Sequence, residues 1–252
     1  FIYLPQLDYA AQKAGPDSPA AQTAVKELDE VLGKLAAAGT AAYQGENLVW
    51  LVASEYVITP VDNVTYPNRV LREAGLLTVK DVGGELIDFA ATPAWALVDH
   101  QFSHVFVRDR DGATIGRVVD LFRGKEGIAD VLAGDERKEY ALDHERAGDV
   151  VLISTPNSWQ AYYYWLDDAK APKFARTVDI HNKPGYDPVE LHFDFATKSI
   201  PLNATLIKGS HGAPANNDAQ RGIVLSSQRG MFVERPMADT DVCDLVLRQF
   251  GI

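Results

Sequence analysis

The stretch Leu48-Val-Trp-Leu-Val-Ala-Ser-Glu-Tyr-Val-Ile58 decides the fold class. It is apolar from Leu48 to Ala53 and turns polar at Ser54-Glu55-Tyr56. An unbroken apolar run, rather than an alternating one, is what a parallel strand covered on both faces needs. Open α/β sheets collect ligands outside the carboxyl ends of such strands. The polar tip therefore reads as the edge of a site, and the strand as central.

The flanking sequence extends this pattern. Phe1–Leu4 reads as a short strand, with Asp8 to Gln12 following in a loop or helical turn. Gly15-Pro-Asp-Ser-Pro19 is a turn, and Ser18 before Pro19 is a good helix start. Ala24, Leu28, Val31, Leu32 and Leu35 fall at helical spacing, so residues 20–38 are expected to be helical, with Gly39 as the stop. A second short helix is expected over 68–74, closed by Gly75. Strand, helix and strand thus alternate.

The middle of the chain reads differently. Short strands are expected at 94–98, 105–107 and 149–154, with a turn at Asp111-Gly112 before a helix over 115–122. The aromatic run Trp159 to Trp165 reads as core more readily than as a stacking surface. A strand at 222–226 and a closing helix at 241–250 resume the α/β pattern. The expected organisation is one α/β core from residues 1–90 and 200–252, with 91–199 as an inserted or cap region.

The 252 residues carry 46% hydrophobic and 23% charged side chains, an ordinary globular mix. A net charge of -11 repels phosphate backbones, so nucleic-acid binding is not expected. No apolar run approaches the roughly 20 residues that span a bilayer, so no membrane partner is expected. Cys243 is the single cysteine, which excludes an intrachain disulfide and a cysteine-based zinc site. The expectation is a reducing compartment, hence a cytoplasmic location. Phe1-Ile-Tyr-Leu4 is apolar from its first residue and has no basic leader, so a preceding segment is expected rather than a signal peptide.

Three positions stand at expected strand ends: Asp8, the Ser54-Glu55-Tyr56 tip, and His211 within Lys208-Gly-Ser-His-Gly-Ala-Pro214. Two carboxylates and an imidazole converging on one spot suit a divalent metal. Read singly, Asp8 is as well explained by a cap or turn, and Glu55 by solvation. The strip from Asp179 to Leu191 adds His181, Lys183, Tyr186 and Asp187. Lys183 can neutralise a phosphate and His181 can serve as acid or base. A structured loop, turned by Pro184, Gly185 and Pro188, explains the same residues at least as well. His100 and His104 are spaced for one helix face, but they lead into a strand.

Residues 3–35, YLPQLDYAAQKAGPDSPAAQTAVKELDEVLGKL, resemble a segment of the type I phosphodiesterase and nucleotide pyrophosphatase branch of the alkaline phosphatase superfamily. That family pattern is a strand, an Asp, a His four residues on, Gly-Pro-x-Ser, and a helix with Leu-Asp-x-x-Leu-Gly. Asp8, Gly15-Pro-Asp-Ser18 and Leu28-Asp-Glu-Val-Leu-Gly33 match it. Gly209-Ser-His-Gly212 matches the late Gly-x-His-Gly, and residues 240–252 resemble the last helix.

The resemblance implies an alkaline-phosphatase-like α/β sandwich with a largely parallel central sheet. It implies a two-metal hydrolase of a small phosphorylated or phosphonate ester. Asp8, Gln12, Glu55 and His211 would be the metal positions, Glu55 also a candidate base beside His181 and Lys183. The nucleophile and a further ligand would come from an N-terminal portion of the same protein or from a second chain. Three departures bear on this: Gln12 stands for a His, Glu55 for an Asp and Tyr56 for a His. The remaining set is oxygen-rich, which suits Mg²⁺, Mn²⁺ or Ca²⁺ over Zn²⁺, in two sites, one or none. The alternative reading is a member that kept the fold, lost the chemistry and serves as a binding or scaffold protein. A transferase on the same fold is a third.

Overall fold

The computed structural model describes residues 1–44, 48–232 and 236–252. Helix α1 spans Gln6–Ala14 and α2 spans Pro19–Ala42. Ser18 caps α2 by accepting from the Ala21 amide at 3.1 Å, with proline next in line, as its sequence requires. Short strands follow: β1 at Leu51–Ala53, β2 at Thr59–Pro60 and β3 at Asn63–Thr65. Helix α3 is Pro67–Glu73, and a hairpin joins β4 (Val79–Asp81) to β5 (Glu85–Ile87).

The largest sheet comes next. It holds β6 (Ala94–Asp99), β7 (Phe102–Val107), β8 (Ile128–Ala133) and β9 (Val150–Ser154), in the order β6-β7-β9-β8 and antiparallel throughout. Every residue of β9 is buried, so its unbroken Val-Val-Leu-Ile is satisfied from both faces. Helix α4 (Gly112–Phe122) is capped by Asp111, which accepts from the Thr114 amide at 2.8 Å, and buries Val118 and Phe122. Strands β10 (Ser158–Gln160), β11 (Gly209–Ser210) and β12 (Val224–Ser226) and helix α5 (Asp241–Gln249) complete the chain.

The core runs from Val61 to Ile207 and centres on the aromatic run. Trp159, Tyr162, Tyr163, Tyr164 and Trp165 are all fully buried, and Tyr163 stacks on Trp165 at 4.5 Å. The core reading of this run holds. The molecule is α/β, as expected, but the sheets are small and differ in two respects. Among the strands of the described residues only β10 and β3 pair in parallel, beside one isolated parallel bridge between Val98 and Gly185, so the expected largely parallel central sheet is not seen here.

The deciding stretch forms β1 only over Leu51–Ala53, antiparallel to β12. It is half-covered rather than enclosed, because β12 is its sole paired neighbour among the described residues. Phe1–Leu4 is not a strand either; Phe1, Ile2 and Tyr3 are exposed, and no partner strand is hydrogen-bonded to them among the described residues. No helix of the described residues is long and apolar enough to cross a membrane.

Candidate active site

Asp8 lies in the first turn of α1, where a carboxylate is favoured by the amide dipoles of the helix start. Gln12 is one turn later on the same face. Its Nε2 donates to Asp8 Oδ2 at 2.7 Å. The chain leaves β1 at Ser54, whose amide donates to the Ile223 carbonyl at 3.0 Å and whose Oγ accepts from the Ile223 amide at 2.7 Å. That clasp sends Tyr56 towards α1, and its hydroxyl donates to Asp8 Oδ1 at 3.1 Å. Both oxygens of Asp8 are therefore engaged by protein donors.

His211 arrives from the other side. β11 pairs antiparallel with β2, and the Lys208 amide donates to the Gln12 carbonyl at 2.9 Å. Position 209 must be glycine for this approach, since a Cβ there would stand 2.3 Å from the Ala11 carbonyl oxygen. Gly212, at φ +107, then turns the chain away. Between these two glycines the His211 ring lies flat on Tyr56, with centroids 3.6 Å apart and planes 3° from parallel.

The tip of the β6–β7 hairpin closes the cluster. The Gln101 amide donates to the His211 carbonyl at 2.8 Å. His100, held at φ 53 in the left-handed region, buries its ring against His211 at 3.9 Å. Tyr186 lies against the other side of His100 at 4.6 Å, and its amide donates to the Val98 carbonyl at 3.1 Å. Four rings are thus in successive contact, Tyr56, His211, His100 and Tyr186, with Asp8 and Gln12 beside them.

Burial sets the protonation of these rings. It depresses His211 to about 4, against a smaller opposing pull from Asp8. It depresses His100 to about 3, helped by the charge of His211. Both imidazoles are neutral at pH 7. Burial first, then the Asp8 charge and hydrogen bond, push the Tyr56 phenol well above its usual range, so it stays a hydroxyl. Tyr186 is pushed up to about 12, again mainly by burial. Within this cluster, two buried side-chain atoms lack partners among the described residues, Gln12 Oε1 and His100 Nδ1. His211 is half-buried, and its ring nitrogens make no hydrogen bond among the described residues.

The other sequence candidates lie elsewhere. Glu55 is exposed and makes no side-chain hydrogen bond or ion pair among the described residues. Lys183 Nζ is buried and donates to Thr177 O at 2.9 Å, Asp187 Oδ2 at 2.8 Å and Glu190 Oε1 at 2.5 Å, which uses all three of its protons. His181 is exposed, in a turn where its amide donates to Asp179 Oδ1 at 2.9 Å. The structure therefore brings Asp8, Gln12 and His211 together, and Tyr186 with them, but gives Glu55, His181 and Lys183 no contact with them. His100 joins them from the hairpin tip that leads into β7, the strand expected after it, while its contact with His211 was not read from the sequence. His104 lies in β7 and accepts from the Gly148 amide at 3.1 Å.

These residues do not fit a metal ion as they stand. Among the described residues no three of His, Cys, Asp and Glu are placed to hold one together. Asp8 already accepts two hydrogen bonds, and Gln12 turns its NH₂, not its oxygen, towards that carboxylate. No step below is routed through an ion.

Fold and site together define an alkaline-phosphatase-like α/β protein whose polar cluster is built from a helix start, a strand exit and a glycine-flanked histidine. The family model for type I phosphodiesterase / nucleotide pyrophosphatase matches residues 1–187, and the chain belongs to that family. His211 lies beyond the matched residues. Human ectonucleotide pyrophosphatase / phosphodiesterase 5 has a similar fold, with TM-score 0.60 at 14% identity over 97% of this chain and 52% of that one. An inactive form of murine ectonucleotide pyrophosphatase / phosphodiesterase 5, in complex with AMP, gives 0.52 at 15% identity, over 97% and 52% of the two chains. A phosphonoacetate hydrolase from Sinorhizobium meliloti 1021, in complex with phosphonoformate, gives 0.45 at 17% identity, over 86% and 42%. The chain thus spans about half the length of the solved structures it resembles. No curated protein matches it in sequence.

Proposed function

We propose that the protein carrying this chain is a phosphoric-ester hydrolase acting on a small phosphorus ester, with a nucleotide as the favoured class. Family membership supports the reaction type. The AMP bound by a structural neighbour supports the substrate class. The observation in this chain that carries the reading is the gathering of a carboxylate, Asp8, and a neutral imidazole, His211, whose ring nitrogens make no hydrogen bond among the described residues, around Tyr56.

In this reading His211 accepts a proton from the attacking hydroxyl or returns one to the leaving alcohol. Asp8 orients Tyr56, and through that ring fixes the plane of His211. The nucleophile comes from an N-terminal portion of the same protein or from a second chain. Dependence on a divalent ion belongs to the proposal too, with its donors coming from that same portion rather than from the Asp8–His211 pair. Glu55, exposed at the strand exit, is free to contribute there. His181 is exposed and free to act only if a substrate reaches its loop; Lys183 is committed to its own carboxylates.

The test is hydrolysis of bis(p-nitrophenyl) phosphate by the full-length protein, with and without Mn²⁺, Mg²⁺, Ca²⁺ or Zn²⁺. Asp8→Ala and His211→Ala are each expected to lower kcat/KM by at least ~100-fold. Unchanged turnover in both would overturn the reading. A folded protein that binds AMP without hydrolysing any ester would instead support a non-catalytic binding member of the family.

A further inference from the structure

We infer that Gln12 and Tyr56 close the Asp8–His211 pair to metal ions, so that this chain's own donors take up neither Zn²⁺ nor Co²⁺ at micromolar concentration. Asp8 and His211 alone are a reasonable beginning of a metal site, a hard carboxylate beside a neutral imidazole. Their neighbours convert it to something else. Gln12 Nε2 and the Tyr56 hydroxyl both direct hydrogens at the Asp8 carboxylate, at 2.7 and 3.1 Å. A cation approaching Asp8 from this side would meet those hydrogens rather than lone pairs.

The Tyr56 ring covers one face of His211 at 3.6 Å and His100 packs near the other at 3.9 Å, so the imidazole has little freedom to swing towards a new ligand geometry. Two carboxylates flank the cluster: Glu55, beside Tyr56, is exposed, and Asp99, beside His100, has an oxygen 3.7 Å from His100 Nε2; neither makes a hydrogen bond or ion pair with Asp8 or His211 among the described residues. Gln12 Oε1, a neutral oxygen of a kind that can serve an ion, is buried, while its own amide nitrogen holds the carboxylate. The cluster is a closed hydrogen-bonded and stacked unit, and the two side chains that close it are one on α1 and one after β1.

The claim concerns binding, and it stands or falls apart from turnover. The probe is Co²⁺, followed by its visible absorption, together with Zn²⁺ titration by calorimetry, on the 252-residue chain. The wild-type chain is expected to show no cobalt spectrum and no zinc affinity tighter than about 1 mM. Gln12→His should gain at least tenfold, and Gln12→His with Tyr56→His at least 100-fold, with a cobalt spectrum lost again on adding Asp8→Ala. Circular dichroism checks that each variant is folded; if the double variant is not, Gln12→His alone carries the comparison. Wild-type uptake of one equivalent at micromolar affinity would overturn the inference, as would folded variants that bind no better than wild type.

Discussion

Asp8 is the residue on which the cluster turns, because two side chains spend their only strong donors on it. Tyr56→Phe keeps the ring on His211 and removes one of these bonds, so it should lower stability by about 1 kcal/mol in urea unfolding. The histidines give a second, independent signature. Their folded pKa values, about 4 for His211 and about 3 for His100, lie below the ordinary 6.5. The unfolded chain therefore binds protons first as pH falls, and stability should decline from pH 6.5 down through 4 and level off only below 3. Denaturation midpoints that stay flat across pH 6.5 to 4 would contradict the buried rings. At this scale Asp8 and His211 were legible, one as an expected strand end and the other between glycines, although Asp8 stands in the first turn of α1 rather than after a strand. Tyr56 read only as a departure from an expected His, because a sequence shows which ligand is absent and not which hydrogen bond has replaced it. His100 was legible as leading into a strand, but its contact with His211 depends on a hairpin tip folding back onto β11.

At the scale of elements, the approach of β11 to α1 carries the site. Gly209→Ala would place a methyl carbon against the Ala11 carbonyl, and should cost about 1–3 kcal/mol and release His211 from Tyr56. The loop holding Lys183 is a separate support. Lys183→Met leaves Asp187, itself buried, without its counter-ion, and a loss of about 3–5 kcal/mol is expected in urea unfolding. His181→Ala, in an exposed turn, should change stability by less than about 0.5 kcal/mol. Helices α2, α3 and α4 were legible from apolar spacing and from Ser18, Asp111 and Gly75, because those signals are local, whereas α1 read only as a loop or helical turn. The register of the short strands was not. Leu48 to Ala53 has the composition of an enclosed strand, but enclosure depends on neighbours, and β12 is the one it has among the described residues.

For the whole molecule, family and fold class follow from widely separated blocks that the structure draws to one edge. Residues near 8, 56, 100, 186 and 211 meet although no short window contains two of these blocks. The α/β class was readable from alternation. The antiparallel four-stranded sheet at the centre was not, because its strands are separated by a helix and by turns whose course local sequence does not set. The account rests on one claim, that Asp8, Tyr56, His211 and His100 form a single packed cluster. Side-chain NMR titration of the six histidines tests it most directly. The prediction is that His100 and His211 stay neutral at pH 5.5, with ring protons shifted upfield by their stacked neighbours. Titration of these two rings near pH 6.5, without ring-current shifts, would contradict it.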